Sequence, residues 1–201
     1  MARSSRRFPR LNAIQLTPEQ TRLAQSLLAG PRGGPGEGDA SPKAINLLLQ
    51  RGPFNAWMRS PELGERLQKA GEYIRFKSSL PKRLNEFAIL ITARHWTSQF
   101  EWWAHLPMAM KAGLDPKLAA ELALNRKPKR MKADEAAVYE FCTQLHRKKK
   151  VTDAAYKRVV ALFGEKGAMD LIGVSGYYTA VSMTLNVAEV PLPAGQKNPL
   201  K

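Results

Sequence analysis

Four residues between positions 86 and 105 carry groups able to hold or move a proton: Glu86, Ser98, Glu101 and His105. Glu101 and His105 are four residues apart, so on a helix they share a face, and Ser98 lies one turn earlier on the same stripe. A carboxylate beside an imidazole makes an acid–base pair. The carboxylate fixes the ring tautomer and raises its basicity, and the imidazole titrates near neutral pH. On this reading His105 is the general acid, Glu101 its orienting partner, and Glu86 a relay or a structural anchor. Glu86 sits among Leu84, Phe87, Leu90 and Ile91, and a carboxylate in such surroundings is either partnered or shifted upward in pKa. Pairs of this spacing also occur as plain surface contacts on many helices. The neighbours Phe100, Trp102 and Trp103 argue instead for the border of a core.

Other side chains are placed around this pair as expected ligand contacts. Ser98 and Trp102 belong to the same segment, and Arg94 has the fork that clamps a carboxylate in two bonds. Phe54 and Tyr177, with Trp57 and Tyr178, are aromatic residues suited to a pocket wall. Each has a structural alternative: an ion pair for Arg94, and simple core for the aromatics. His95 is six residues from Glu101 and therefore on another face, so no convincing third metal ligand joins Glu101 and His105, and no metal is expected. His146 is read as a cation at a helix end. No phosphate loop, nucleophile elbow or zinc signature occurs, and no cofactor is expected. The single cysteine, Cys142, cannot form an internal disulfide, which fits a reducing compartment.

The elements that must position these residues read as helices throughout, an all-α class. Thr17-Pro18 starts a short helix that ends at Gly30, and Ser41-Pro42 starts another. Ser60-Pro61-Glu62 opens a helix whose apolar face is Leu63, Leu67, Ala70 and Ile74. Leu80-Pro81 opens the next, with Leu84, Phe87, Ala88 and Ile91 on one face. Further helices are expected at about Thr97–Lys111, from Asp115-Pro116, and at Ala133–Arg147, Thr152–Phe163 and Gly167–Val187. The stretch GPRGGPGEGDASP, residues 30–42, is too rich in Gly and Pro for regular structure. It divides a basic arm, residues 1–42, from a helical domain, residues 43–201.

The pattern Glu86, then Ser98-x-x-Glu101-x-x-x-His105, then Lys111-Ala-Gly-Leu114, resembles the signature of the alkylhydroperoxidase D and carboxymuconolactone decarboxylase superfamily. The peroxidase branch carries Glu, then Cys-x-x-Cys-x-x-x-His, at these spacings. Here Ser98 and Glu101 stand at the cysteine positions, while Glu86 and His105 match the proton-relay residues. Phe100-Glu-Trp-x-x-His105 is similar to the cysteine-free members. The likeness spans about residues 53–190 and includes GPFNAW at 52–57. It implies an alkylhydroperoxidase D-like helical bundle assembled as a homo-oligomer, commonly a trimer or hexamer. It also implies a decarboxylase-like carboxy-lyase acting on a small acidic lactone or keto acid without a cofactor. Thiol peroxidase turnover needs an attacking and a resolving thiol, and this pattern supplies neither. The rival from another class is a non-catalytic oligomeric binding protein that kept the fold.

Net charge is +15, from 32 Lys and Arg against 17 Asp and Glu. Such an excess favours anionic partners, here a small acidic substrate. The clusters at Lys127–Lys132 and Arg147–Lys150 are read as solvated surface, and with no recognisable nucleic-acid module nucleic acid is not an expected partner. The longest apolar run, Phe87–Ala93, is far too short to span a bilayer, so no membrane partner is expected. The Arg- and Ser-rich opening MARSSRRFPRLN fits a transit peptide or a solvated basic tail, and it lacks the apolar stretch of a secretory signal. The reading is a cytoplasmic protein.

Overall fold

Helix starts follow the local signals closely. In the computed structural model, which describes residues 7–31 and 39–201, every regular element among those residues is helical. Most of the linker expected at 30–42, and the first residues of the basic arm, lie outside the described range. Helix α1, Pro18–Ala29, begins with a capping box: the Thr17 side chain accepts from the Gln20 N–H, and the Gln20 side chain accepts from the Thr17 N–H. Proline also takes the first position of α2, Pro42–Leu48, and of α4, Pro61–Glu72. There its missing N–H is no loss. Between them, Phe54–Trp57 forms the single turn α3.

The described residues group into two units. The first comprises those up to Lys77 together with Thr184–Pro191, and the second comprises Ser78–Met183 with Leu192–Lys201. The boundary expected at residue 42 falls inside the first unit. There α1 packs on α2 and α4. Of the face expected for α4, Ile74 is buried and Leu67 half-buried, but the other two positions are not. Leu63 is exposed and Ala70 is exposed, whereas Gly64, Gln68 and Gly71 are buried. The cause is close approach. A Cβ on Gly64 would lie only 2.7 Å from Leu23 Cδ2, so the missing side chain lets the neighbour in, and the Gln68 amide is satisfied by the Ser26 hydroxyl at 3.2 Å. A π-helical turn, Tyr73–Lys77, ends the segment.

The second unit is organised around α5, Lys82–His95, whose residues Leu84 to Ala93 are all buried. A helix buried on every side belongs at the centre of a bundle, where its few polar groups need partners. Against it pack α6, Gln99–Lys111, α7, Pro116–Ala123, and α8, Ala133–Lys148. Thr97 adopts a left-handed φ of 47°, which turns the chain between α5 and α6 and delays the helix expected from Thr97 until Gln99. Arg83 in the first turn of α5 pairs with Asp134 and Glu135 in the first turn of α8. The Phe87 and Tyr139 rings stack at 6.5 Å.

The two last expected helices are both present, in the span α9, Asp153–Val187, and the non-helical backbone of Gly164, where φ is 70°, separates them. Asp170 of α9 fixes the approach to α5. Its carboxylate accepts from the Ser79 N–H at 2.7 Å, the Ser79 hydroxyl at 2.6 Å and the Ser78 hydroxyl at 3.3 Å. No helix among the described residues is long and apolar enough to cross a membrane.

Candidate active site

Glu86 is buried on α5, at 2% exposure, and a carboxylate placed there needs a partner. The partner comes from α6. His105 Nδ1 lies 2.7 Å from Glu86 Oε2, and His105 Nε2 lies 2.9 Å from Glu101 Oε1. The three expected acid–base residues therefore form one linear chain, carboxylate–imidazole–carboxylate, contained within the second unit. Glu101 and His105 are themselves buried, at 4% and 5% exposure. The i,i+4 contact arises from helix geometry alone. The Glu86 contact is tertiary, set by the packing of α5 on α6.

Burial is the strongest influence on the imidazole and pulls its pKa down. Glu101 first, and then Glu86, outweigh it and raise His105 to about 9. The ring is therefore charged at neutral pH and donates both N–H groups, one to each carboxylate. Neither ring nitrogen is left over for a ligand in this arrangement. A proton passing between His105 and a bound molecule has to travel through a glutamate carboxyl group.

Ser98 and Glu101 have the spacing of a capping box, Ser at the N-cap and Glu at the third helical position. Neither side chain is used that way. Ser98 makes no side-chain cap, its N–H donates to the Ala93 carbonyl at 2.9 Å, and Glu101 turns to His105. The Ser98 hydroxyl is fully buried and has no hydrogen-bond partner among the described residues, a condition that costs free energy unless a water or ligand completes it. The negative charge of Glu101 also lies in the first turn of α6, where the helix dipole favours it.

The expected ligand contacts divide. Trp102 is 1% exposed and part of the core. Tyr177 is buried beside Tyr178, with ring centroids 5.1 Å apart, but it is Tyr178 that sets its ring edge-on to His105 at 5.0 Å. Helix phase carries that signal: Tyr178 falls in line with the buried positions Val174, Val181 and Leu185, one turn apart in succession. Phe54 belongs to the first unit, where it packs edge-on against Trp57 at 5.5 Å. Arg94 is held by the Lys201 carbonyl at 2.9 Å and by the Thr97 hydroxyl at 3.4 Å.

Two histidines stand elsewhere. His146, expected as a helix-end cation, is buried and stacks on His95 at 4.8 Å. Burial, then His95 and Lys149, push its pKa down to about 4, so it is neutral. The Thr92 hydroxyl donates to the Ala88 carbonyl and so accepts the His146 Nε2–H at 2.9 Å. Cys142 is fully buried with the Ser175 hydroxyl 3.7 Å from its sulfur, and burial pushes the thiol up to about 12. Among the described residues no group of three His, Cys, Asp or Glu side chains is arranged to hold a metal ion. No family model, curated protein or solved structure matches the chain.

Proposed function

We propose that this chain is a cofactor-independent acid–base enzyme of the carboxymuconolactone decarboxylase-like superfamily, a homo-oligomer of the cytoplasm acting on a small lactone acid or keto acid. The observation that carries the reading is the buried Glu86–His105–Glu101 chain, a charged imidazole held between two carboxylates. Loss of carbon dioxide from such a substrate breaks a carbon–carbon bond and leaves the electron pair as an enolate. The enzyme then has only to stabilise that charge and place a proton on carbon. Glu101 is the group that hands the proton over, His105 is the store that replaces it, and Glu86 holds the ring. The unpaired Ser98 hydroxyl, one turn before Glu101, binds the substrate or a water. The positive charge of the chain draws in an anionic substrate.

The same burial favours a second reading. A triad in which every member is 5% exposed or less also suits a protein that uses the pair only for stability. The test is a panel of β-keto acids and lactone carboxylates, followed by substrate loss and carbon dioxide release, with unfolding measured on the same samples. Under the catalytic reading, folded His105→Ala and Glu101→Gln lose roughly two to four orders of magnitude in rate, and Ser98→Ala loses less. The double variant is then hardly worse than His105→Ala. Full turnover by folded His105→Ala, or loss only in proportion to folded protein, ends the catalytic reading.

A further inference from the structure

A cleft of about 380 Å³ opens between the end of α5, the segment after α7 and the end of α8. It shares no lining residue with the Glu86–His105–Glu101 chain. Three guanidinium groups line it, Arg94 from α5, Arg126 from the segment after α7 and Arg147 from α8, together with His95 and His146. No carboxylate is among its lining residues, and none of the three arginines pairs with an Asp or Glu side chain among the described residues, although Arg94 donates to the Lys201 main-chain oxygen at 2.9 Å. The contrast with Arg83 and Arg158 is direct, since those two pair with Asp134 and Glu135 and with Glu140.

Complementing the helix dipole accounts for part of this charge. Arg94 ends α5 and Arg147 ends α8, where cations are favoured. It does not account for Arg126, which follows α7, nor for the convergence of three charges on one space. Arg147 is aimed by its bond to the Asn125 side chain at 3.2 Å, and Asn125 itself holds a left-handed φ of 57°. Arg94 keeps a buried Nε–H without a partner even though its two terminal nitrogens are engaged. The volume lies in the range of small-molecule sites, and Ile91, Leu122 and Tyr139 give it an apolar wall.

We propose that this cleft binds the phosphate group of a small phosphate monoester, with the organic part against the apolar wall. A carboxylate offers two oxygens in one plane and is satisfied by a single guanidinium fork. A tetrahedral dianion offers oxygens in three directions, which suits three arginines approaching from three separate parts of the chain. A phosphate group alone leaves much of the cleft empty. The proposal is independent of the acid–base reading.

The test is calorimetric titration of the full chain, at constant ionic strength, with phenyl phosphate, inorganic phosphate, benzoate and sulfate. Phenyl phosphate binds at one site and tighter than the other three, and Arg126→Gln and Arg147→Gln each weaken it roughly tenfold. Both arginines are exposed, so the folds of these variants are expected to survive. A second readout needs no variant, because the chain has three histidines. Phenyl phosphate shifts the ring-proton resonances of His95 and His146 and leaves those of His105 in place. Benzoate binding as tightly as phenyl phosphate, affinity unchanged in both arginine variants, or a shift confined to His105 overturns the proposal.

Discussion

Glu86 and His105 meet across two helices through one hydrogen bond of 2.7 Å, and each lies almost wholly out of water. The contact is what makes a carboxylate tolerable on the central helix α5. Removing one member of such a pair strands the other, typically at about 3–5 kcal/mol. His105→Ala strands two carboxylates and should lose stability in that range. Glu86→Gln keeps an oxygen to accept the Nδ1–H and should lose less, about 1–3 kcal/mol. In denaturant unfolding, the double variant should be more stable than the sum of the two losses predicts. Strict additivity would show that the two side chains do not act as a pair.

Stability should peak near neutral pH, with one histidine shaping each side. The folded pKa of His105 is about 9, above its ordinary value of 6.5. Its stabilisation is therefore complete below about pH 6.5 and lost as pH rises through 9. The folded pKa of His146 is about 4, below the same ordinary value. Its contribution is complete above about pH 6.5 and lost as pH falls toward 4. Unfolding midpoints taken at about pH 5, 6.5 and 9 test both. His105→Gln should flatten the alkaline side and His146→Gln part of the acid side. An alkaline side unchanged by His105→Gln contradicts the Glu–His–Glu arrangement.

Cys142 should be chemically silent in the native protein. Its thiol is fully buried and pushed up to about 12, so almost no thiolate exists at neutral pH. No catalytic reduction of peroxide by dithiols is expected, and Cys142→Ser should change neither that result nor the fold. A thiol reagent should label Cys142 only after denaturation. Repeated peroxide turnover that vanishes in Cys142→Ser would contradict this.

Helix α9 leaves Met169 62% exposed, Ile172 44% and Met183 45%. Gly176 lies between them, with open space where its Cβ would point. The spacing puts all four on one side of the helix, an apolar stripe of the kind a second copy covers. Light scattering should give a mass well above the 22.4 kDa of one chain. Ile172→Glu should lower it without unfolding the protomer. A monomer at micromolar concentration in the unaltered protein counts against assembly through this face.

Much of the architecture was readable from local signals because helix starts are local events. Thr17-Pro18, Ser60-Pro61 and Asp115-Pro116 act within one turn, and the structure has helices at all three. The contact between Glu101 and His105 is local too, and the sequence shows it. What the sequence could not show depends on packing partners far along the chain. Leu63 looks like core until Gly64 is seen to admit Leu23. His146 looks like a surface cation until Thr92, 54 residues away, takes its Nε2–H and burial strips its charge. The arginine cleft has no sequence signature, because Arg94, Arg126 and Arg147 come from separate parts of the chain. Tyr177 and Tyr178 are both buried, and only the packing of α9 shows that Tyr178 is the one set against His105.

The bond from Ser79 to Asp170 spans 91 residues, whereas that from Glu86 to His105 spans 19. The helical hairpin of α5 and α6 can therefore bring the two carboxylates to the imidazole early in folding, while α9 is still unattached. Until α9 docks, Tyr178 does not cover the ring, and Asp170 does not hold the approach to α5. In the unfolded chain at mildly alkaline pH, His105 is close to its ordinary pKa and mostly neutral, whereas between the two carboxylates it is charged. Closure of the α5–α6 hairpin thus draws a proton from solution before α9 arrives. A refolding reaction followed in weak buffer with an indicator dye would register that closure as a rise in pH.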